Sequence, residues 1–343
     1  MKAMMLERLA PLRAGSLPLV PREIPVPEPA NGEVLVMVSA CGVCHTEIDE
    51  IEGRTPPPHL PVVPGHQVVG VVARTSRRAN RFREGDRVGV AWIHSACGAC
   101  KFCRTNRENL CPGFRATGRD ANGGYAEFMT VPEAFAHEIP SVFTDAEAAP
   151  LLCAGAIGYR SLELAGIADG EKLGLAGFGA SAHLVLKLAR HRLPNSDVYV
   201  FARSETEREF ARSLGAVWAG DTREDPPAKL DRIIDTTPAW RPVVDALKHL
   251  DAGGRLVINA IRKEDGDKEA LLELEYARHL WMEKEIKSVA NVTRRDVEDF
   301  LRLAAEISIK PEVQEYRLED ANQAIADLKK GHTRGAKVLK VSP

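Results

Sequence analysis

The sequence predicts an α/β protein of two domains, a β-rich lobe and a Rossmann-type, doubly wound parallel sheet. Three observations carry this. The chain has 343 residues, and one core ordinarily serves roughly 150. Its first 150 residues read as short apolar strands between turn-forming residues, and from about residue 160 strands and helices alternate. A G-x-G-x-x-A run, Gly177-Phe178-Gly179-Ala180-Ser181-Ala182, stands between a strand and a helix of that second half.

In the first half the expected strands are Glu33–Val38, Val68–Ala73, Arg87–Trp92 and Tyr125–Val131. Pro56–Pro64 (PPPHLPVVP) carries too many prolines for a helix and is expected to run extended. In the second half the expected strands are Lys172–Ala176, Val198–Ala202, Asp231–Asp235, Arg255–Ala260 and Ile286–Ala290. Helices Ser181–Arg192, Glu205–Leu214, Trp240–Leu250 and Lys268–Trp281 are expected between them. Parallel strands need such crossovers, so the alternation builds a parallel sheet. Two amphipathic helices follow, Arg295–Ile307 and Asp320–Lys330, with Gly331 where a helix stop belongs. A last strand, Lys337–Val341, ends the pattern.

Composition narrows the function. Lys and Arg number 46 against 48 Asp and Glu, a formal charge of −2, which argues against nucleic acid or an anionic membrane as the main partner. With 44% hydrophobic and 27% charged residues the chain is not a disordered one. No apolar run suits a membrane span or a signal-peptide core, so a cytoplasmic location is expected. In that compartment the seven cysteines read as thiols or metal ligands.

Four of them fall within fifteen residues: Cys97, Cys100, Cys103 and Cys111, spaced C-x2-C-x2-C-x7-C. Two-residue gaps let the backbone turn around an ion and present successive sulfurs, and four thiolates suit a closed tetrahedral zinc site. Such a site has no open position, so its expected role is structural. Lys101, Arg104 and Arg107 are placed to offset its negative charge.

The glycine fingerprint predicts a dinucleotide. Gly177 and Gly179 permit a tight turn and close approach of a pyrophosphate, Ala182 permits close packing, and the helix N-terminus favours the anion. At the end of the next strand, where an NAD site usually presents a carboxylate to the ribose, the chain reads Phe201-Ala202-Arg203-Ser204. Arg203 and Ser204 suit a phosphate, so this loop favours NADP, with NAD the alternative. The competing role for Arg203 is a solvated loop arginine.

Spacing alone does not unite Cys44, His66 and Cys153; a resemblance does. Cys44-His45-Thr46-Glu47, Gly65-His66-Gln67, Leu151-Leu152-Cys153-Ala154-Gly155, the four-cysteine run and Gly123-Gly124-Tyr125-Ala126-Glu127 resemble, in order, motifs of the zinc-dependent medium-chain alcohol dehydrogenases. The resemblance spans essentially the whole chain. It implies a GroES-like β-barrel catalytic domain, 1–150 completed by 291–343, and a Rossmann domain, 151–290. It implies a Cys2His catalytic zinc on Cys44, His66 and Cys153, hence two zinc ions per chain, with Cys41 left as a buried thiol nearby. It implies hydride transfer between a primary alcohol, or its aldehyde, and NAD(P), by a homodimer or homotetramer.

By the same resemblance Thr46 bonds the reacting oxygen and begins a proton relay, and His45 faces the cofactor pyrophosphate. Trp92 and Thr55 stand at pocket-wall positions, with a core role equally open to Trp92. The chain departs from the pattern at four places. Gln67 replaces an acid and removes a negative charge near the metal. Glu47 replaces the aspartate that orients the ligand histidine, one methylene longer, and still suits an outer acceptor. Asp49 replaces the histidine that ends many relays, with a reference pKa near 3.9 that suits neutral-pH transfer poorly. Arg334 and Lys337 flank Ala336, where relatives often carry a pyrophosphate-binding arginine. Two competing readings are a zinc-independent quinone or enone reductase on the same scaffold, against which the intact ligand trio counts, and a non-catalytic dinucleotide-binding protein.

Overall fold

The computed structural model describes residues 1–331 and 335–342. The chain separates into two compact units: Met1–Ala156 together with the chain from Asn291 onward, and Ile157–Ala290.

The first unit opens with a hairpin, β1 (Lys2–Leu6) and β2 (Leu19–Glu23). The long β3 (Glu33–Val43) leads into the short helix α1 (His45–Ile51). The strands β4 (Val68–Thr75), β5 (Arg87–Val90), β6 (Ile93–Ser95), β7 (Arg115–Ala116), β8 (Phe128–Pro132) and β9 (Ala136–Glu138) follow. β3 is buried along most of its length because strands flank it on both sides. The expected strand through Trp92 stops at Val90. There the backbone turns to the Thr117 loop: the Ala91 carbonyl accepts from Thr117 Oγ1, and the Trp92 carbonyl from Thr117 N–H.

Helix α2 (Asp145–Pro150), capped by Thr144, widens into a π turn over Leu151–Gly155 and continues as α3 (Ala156–Ala165). The fingerprint sits as expected, between β10 (Leu173–Ala176) and α4 (Ala180–Arg192). The second unit continues with β11 (Val198–Phe201), α5 (Glu205–Ser213), β12 (Trp218–Gly220), β13 (Leu230–Asp235), α6 (Arg241–His249), β14 (Leu250–Ile258) and β15 (Glu285–Ser288). Among the described residues these strands form one parallel sheet in the order β12-β11-β10-β13-β14-β15. The order reverses at β10, the usual place for a ligand in such sheets.

The helix expected over Lys268–Trp281 does not form as one element. It breaks into a 3-10 stretch, Lys268–Glu273, and a single wide turn, Tyr276–Leu280, with Leu274 and Glu275 extended between them. Its apolar residues do not share one buried face: Ala270 is 1% exposed and Leu274 packs against the core of this unit, but Leu272 is 88% exposed, and helices in proteins draw stability mainly from burying an apolar face.

The chain then returns to the first unit with α7 (Arg294–Glu306), β16 (Val313–Arg317), α8 (Ala321–Lys330) and β17 (Ala336–Lys340). Gly331 closes α8 in the left-handed conformation. The sheet of this unit runs β16-β17-β3-β4-β5-β9, with β8 also paired to β3. Among the described residues no helix is long and apolar enough to cross a membrane.

Candidate functional site

Two clusters of ligand-type side chains form, both in the first unit. In each, one candidate donor atom per residue lies within 4.8 Å of all the others: Cys44, His66 and Cys153 in one, Cys97, Cys100, Cys103 and Cys111 in the other.

Three unrelated pieces of backbone build the trio. Cys44 directly follows β3 and caps α1. His66 follows Gly65, whose φ is +97°. A Cβ on Gly65 would stand 2.4 Å from the Tyr125 ring and 2.8 Å from Cys41 Sγ, so only glycine fits before this histidine. Cys153 sits in the π turn between α2 and α3, a distortion common at functional sites. Cys41 is the buried thiol against which that Gly65 packs.

Glu47 ties the trio together. Fully buried, its Oε1 lies 2.5 Å from His66 Nδ1 and its Oε2 accepts from the Cys44 N–H at 2.8 Å. The bond at Nδ1 leaves Nε2 as the free ligand atom, 3.3 Å from Cys153 Sγ. Burial opposes a charged His66, yet Glu47 and the Cys44 sulfur raise it well above its ordinary value. The Cys153 thiol, donating to Cys44, holds that sulfur well below the usual thiol range, and Cys153 is pushed up in return. Donors bound to one tetrahedral zinc at about 2.3 Å (sulfur) and 2.0–2.1 Å (nitrogen) stand about 3.5–3.8 Å apart. The trio fits that ion in spacing and donor chemistry.

The four-cysteine lobe fits equally. Cys97 and Cys103 sulfurs are 3.9 Å apart, Cys100 and Cys103 sulfurs 3.6 Å. Backbone N–H groups of Cys97 and Gly113 point at Cys111 Sγ, and that of Cys103 at Cys100 Sγ. The N–H groups of Ala99 and Cys100 bring Cys97 down to about 6, while burial pushes Cys103 up to about 12. Lys101 and Arg107 stand over the Phe102 ring at 5.0 and 5.5 Å. Buried Glu108 accepts from the backbone and side chain of Arg294, anchoring the lobe to α7.

The other residues singled out in the sequence are placed as follows. Thr46 Oγ1 lies 3.6 Å from Cys44 Sγ. His45 is exposed at the start of α1. The Asp49 carboxylate is held by Arg54 at 2.6 Å. Thr55 Oγ1 and Trp92 Nε1 are buried with no hydrogen-bond partner among the described residues. The Trp92 ring tilts against Phe114, with the Arg119 guanidinium 5.5 Å from its centre. Lys337 is buried, bonded to Gln314 and the Tyr316 hydroxyl, and so is spoken for inside the first unit. Arg334 lies outside the described residues.

In the second unit Gly177 has φ +82°, and a Cβ there would meet Thr236 and Thr237 at 2.9 Å. At Gly179, the cap of α4, a Cβ would meet open space, and Ala182 is buried. Arg203 and Ser204 are exposed, and Ser204 Oγ caps α5 by accepting from Glu207 N–H. Sequence reasoning overlooked Arg208, which folds under this loop, donates to the Ala202 and Arg203 carbonyls and pairs with Glu205 at 2.7 Å. The three-residue Glu205–Arg208 spacing on a helix was the available signal. It also overlooked Glu50, whose buried Oε1 has no partner among the described residues and whose carboxyl burial pushes well up.

Comparison with known proteins agrees with this geometry. Residues 30–141 match the family described as the alcohol dehydrogenase GroES-like domain, and residues 206–339 the zinc-binding dehydrogenase family. A probable alcohol dehydrogenase of Mycobacterium tuberculosis (strain CDC 1551 / Oshkosh) is 44% identical over 99% of this chain and 97% of its own length. Among solved structures, a cinnamyl alcohol dehydrogenase from Sorghum bicolor superposes with a TM-score of 0.84 at 26% identity, covering 99% of this chain and 98% of that one. An NAD-dependent alcohol dehydrogenase superposes with a TM-score of 0.88 at 25% identity, covering all of both chains. The chain belongs to the zinc-dependent medium-chain alcohol dehydrogenase family, oxidoreductases that act on small-molecule alcohols and aldehydes with zinc and a nicotinamide cofactor.

Proposed function

We propose that this enzyme interconverts primary alcohols, aromatic ones included, and their aldehydes, using NADP in preference to NAD. It carries two zinc ions per chain and works in the cytoplasm as a homodimer or homotetramer. Residues 1–150 with 291–343 serve as its catalytic domain and 151–290 as its dinucleotide domain. The observation that carries the reading is the convergence of Cys44, His66 and Cys153 around one point, with Glu47 bonded to two of the three segments' groups.

Zinc bound there supplies a Lewis acid that acidifies an alcohol or polarises a carbonyl. The chain's own residues do the rest. Cys44 and Cys153, as thiolates, neutralise the ion's charge. Glu47 keeps the His66 ring in one tautomer and one orientation. The Thr46 hydroxyl, two residues from a ligand, accepts the alcohol's proton as it passes its own onward along the relay. Asp49, engaged by Arg54, leaves the end of the relay to solvent. Trp92, flanked by Phe114 and Arg119, forms one wall of the pocket and Thr55 a more open one, an arrangement that admits flat aromatic substrates. The likeness to a cinnamyl alcohol dehydrogenase supports that substrate class. Arg203 and the Ser204 hydroxyl, with no carboxylate at Ala202, receive the 2′-phosphate of NADP.

Steady-state kinetics with NADPH and NADH over a panel of aldehydes tests the reading. NADPH is expected to give the higher kcat/KM, and cinnamaldehyde-like substrates are expected to turn over. Cys44→Ser should abolish turnover in a folded protein. A strong NADH preference would overturn the roles given to Arg203 and Ser204. Full activity in Cys44→Ser would overturn the metal centre.

A further inference from the structure

The parallel sheet of the second unit has two ends. The fingerprint glycines follow the C-terminal end of β10. At the opposite end, where β13 and β14 begin, lies a cavity of about 470 Å³, within the size range of small-molecule sites. The segment 225–229 leading into β13, the C-terminus of α6, and Arg278 with Lys284 form its wall.

That wall carries four cations, Lys229, Lys248, Arg278 and Lys284, against one carboxylate, Asp225. Lys248 is paired with Asp245 at 2.7 Å. Among the described residues no carboxylate forms an ion pair with Lys229, Arg278 or Lys284. Lys284 Nζ donates to the Leu247 and Arg278 carbonyls at 3.0 and 3.1 Å, and Lys229 Nζ to the Lys248 carbonyl at 2.6 Å. The bonds to the Leu247 and Lys248 carbonyls serve the C-terminus of α6, whose dipole offsets only about half a charge. Burial, and then repulsion from Lys229, lower Lys284, while Asp251 works the other way.

His249 supplies an independent observation. It lines the same cavity, is 3% exposed, and its ring stacks on Phe201 at 5.3 Å. Among the described residues its Nε2 has no partner, and Nδ1 stands 3.6 Å from Asp225 Oδ1, beyond hydrogen-bond reach. A buried imidazole bonded at neither nitrogen is costly unless a ligand or solvent satisfies it.

We propose that this cavity binds a phosphate group, carried free or as a small phosphomonoester, at a site separate from the dinucleotide site. A dianion offsets the surplus of positive charge. Its oxygens accept from the Arg278 guanidinium, from the spare protons of Lys229 and Lys284, and from the imidazole N–H. Pro226, Pro227 and Ala228 offer an apolar side to the carbon portion of an ester.

Calorimetry on the zinc-loaded enzyme, saturated with reduced cofactor so that the dinucleotide site is filled, tests this at constant ionic strength. Inorganic phosphate and phenyl phosphate are titrated into the wild type and into Arg278→Ala and Lys229→Ala. Both substitutions fall on exposed side chains, and alcohol oxidation checks that each variant folds. Saturable binding in the wild type is expected, weakened about tenfold or more in each variant, the weight of one charge-assisted hydrogen bond. Alcohol oxidation should stay unchanged in both. Tighter binding of phenyl phosphate would assign the site to monoesters, and tighter binding of inorganic phosphate to the free ion. Absence of saturable binding in the wild type, equal affinity in the variants, or competition with the cofactor would overturn the proposal.

Discussion

Glu47 puts both carboxylate oxygens into the scaffold of the metal centre, one on His66 Nδ1 and one on the Cys44 N–H. Its extra methylene relative to the family's aspartate lets it reach the ring from inside the first turn of α1. Outer partners of metal ligands are worth about 10–100-fold in affinity or activity. Glu47→Gln is therefore expected to weaken zinc binding at the trio by about that factor, because an amide cannot accept at both positions. Competition with a chromogenic chelator measures it, and Glu47→Asp should fall between the two. Unchanged competition in Glu47→Gln would remove the bridging role. At this scale the sequence was unevenly legible. Four cysteines at two- and seven-residue gaps announce their own meeting point. Cys44, His66 and Cys153 are 22 and 87 residues apart, and only a resemblance joined them. The buried Glu50, whose Oε1 has no partner among the described residues, was invisible because burial is a property of packing and not of a residue's neighbours in sequence.

At the scale of elements, a buried ion pair fixes the C-terminal end of an interior strand of the parallel sheet. Asp235 ends β13 and is fully buried, and it pairs with Lys263 from the loop after β14. Lys263 Nζ also donates to the Thr237 and Ala239 carbonyls at 2.8 and 2.9 Å. The neighbouring Thr236 and Thr237 are the residues that crowd Gly177. Removing one partner of such a pair strands a buried charge, at a cost of about 3–5 kcal/mol. Lys263→Met should lose that stability in urea unfolding, and the double variant with Asp235→Asn should regain part of it. Additive losses would show that the pair is not coupled. Neither residue looked unusual in the sequence, although the strand that Asp235 ends was expected there, as Asp231–Asp235. Strands and helices with one clear apolar face were legible to within a few residues, as at Ser181–Arg192, which forms as Ala180–Arg192. Lys268–Trp281 misled because its apolar spacing suits a helix, while in the fold Ala270 is buried and Leu272, Tyr276 and Trp281 face solvent. The α2–π–α3 segment went unread because its π turn breaks the 3.6-residue period on which a helix is recognised.

For the molecule as a whole, two candidate metal clusters in one unit with different donor sets predict two separable contributions. The trio is pinned by elements that a core already holds in place: β3, the Gly65 turn and the continuous helix from α2 to α3. The four-cysteine lobe has little such support. Cys97 is exposed and Cys100 half-buried, and few apolar side chains of the segment are buried. Where a site does not persist without its ion, binding energy is folding energy, and a ligand at 1,000 times its Kd stabilises by about 4 kcal/mol. Cys111→Ser is therefore expected to carry one zinc per chain, to melt at a lower temperature, and to keep oxidising alcohol at temperatures where it stays folded. Cys153→Ser is expected to carry one zinc per chain, to melt near the wild type, and to be inactive. Metal analysis, thermal unfolding and activity on the same preparations give the three readouts. Should Cys111→Ser lose activity while its melting temperature holds, the four-cysteine site would be acting on the chemistry, and the division between a structural and a catalytic ion would have to be abandoned.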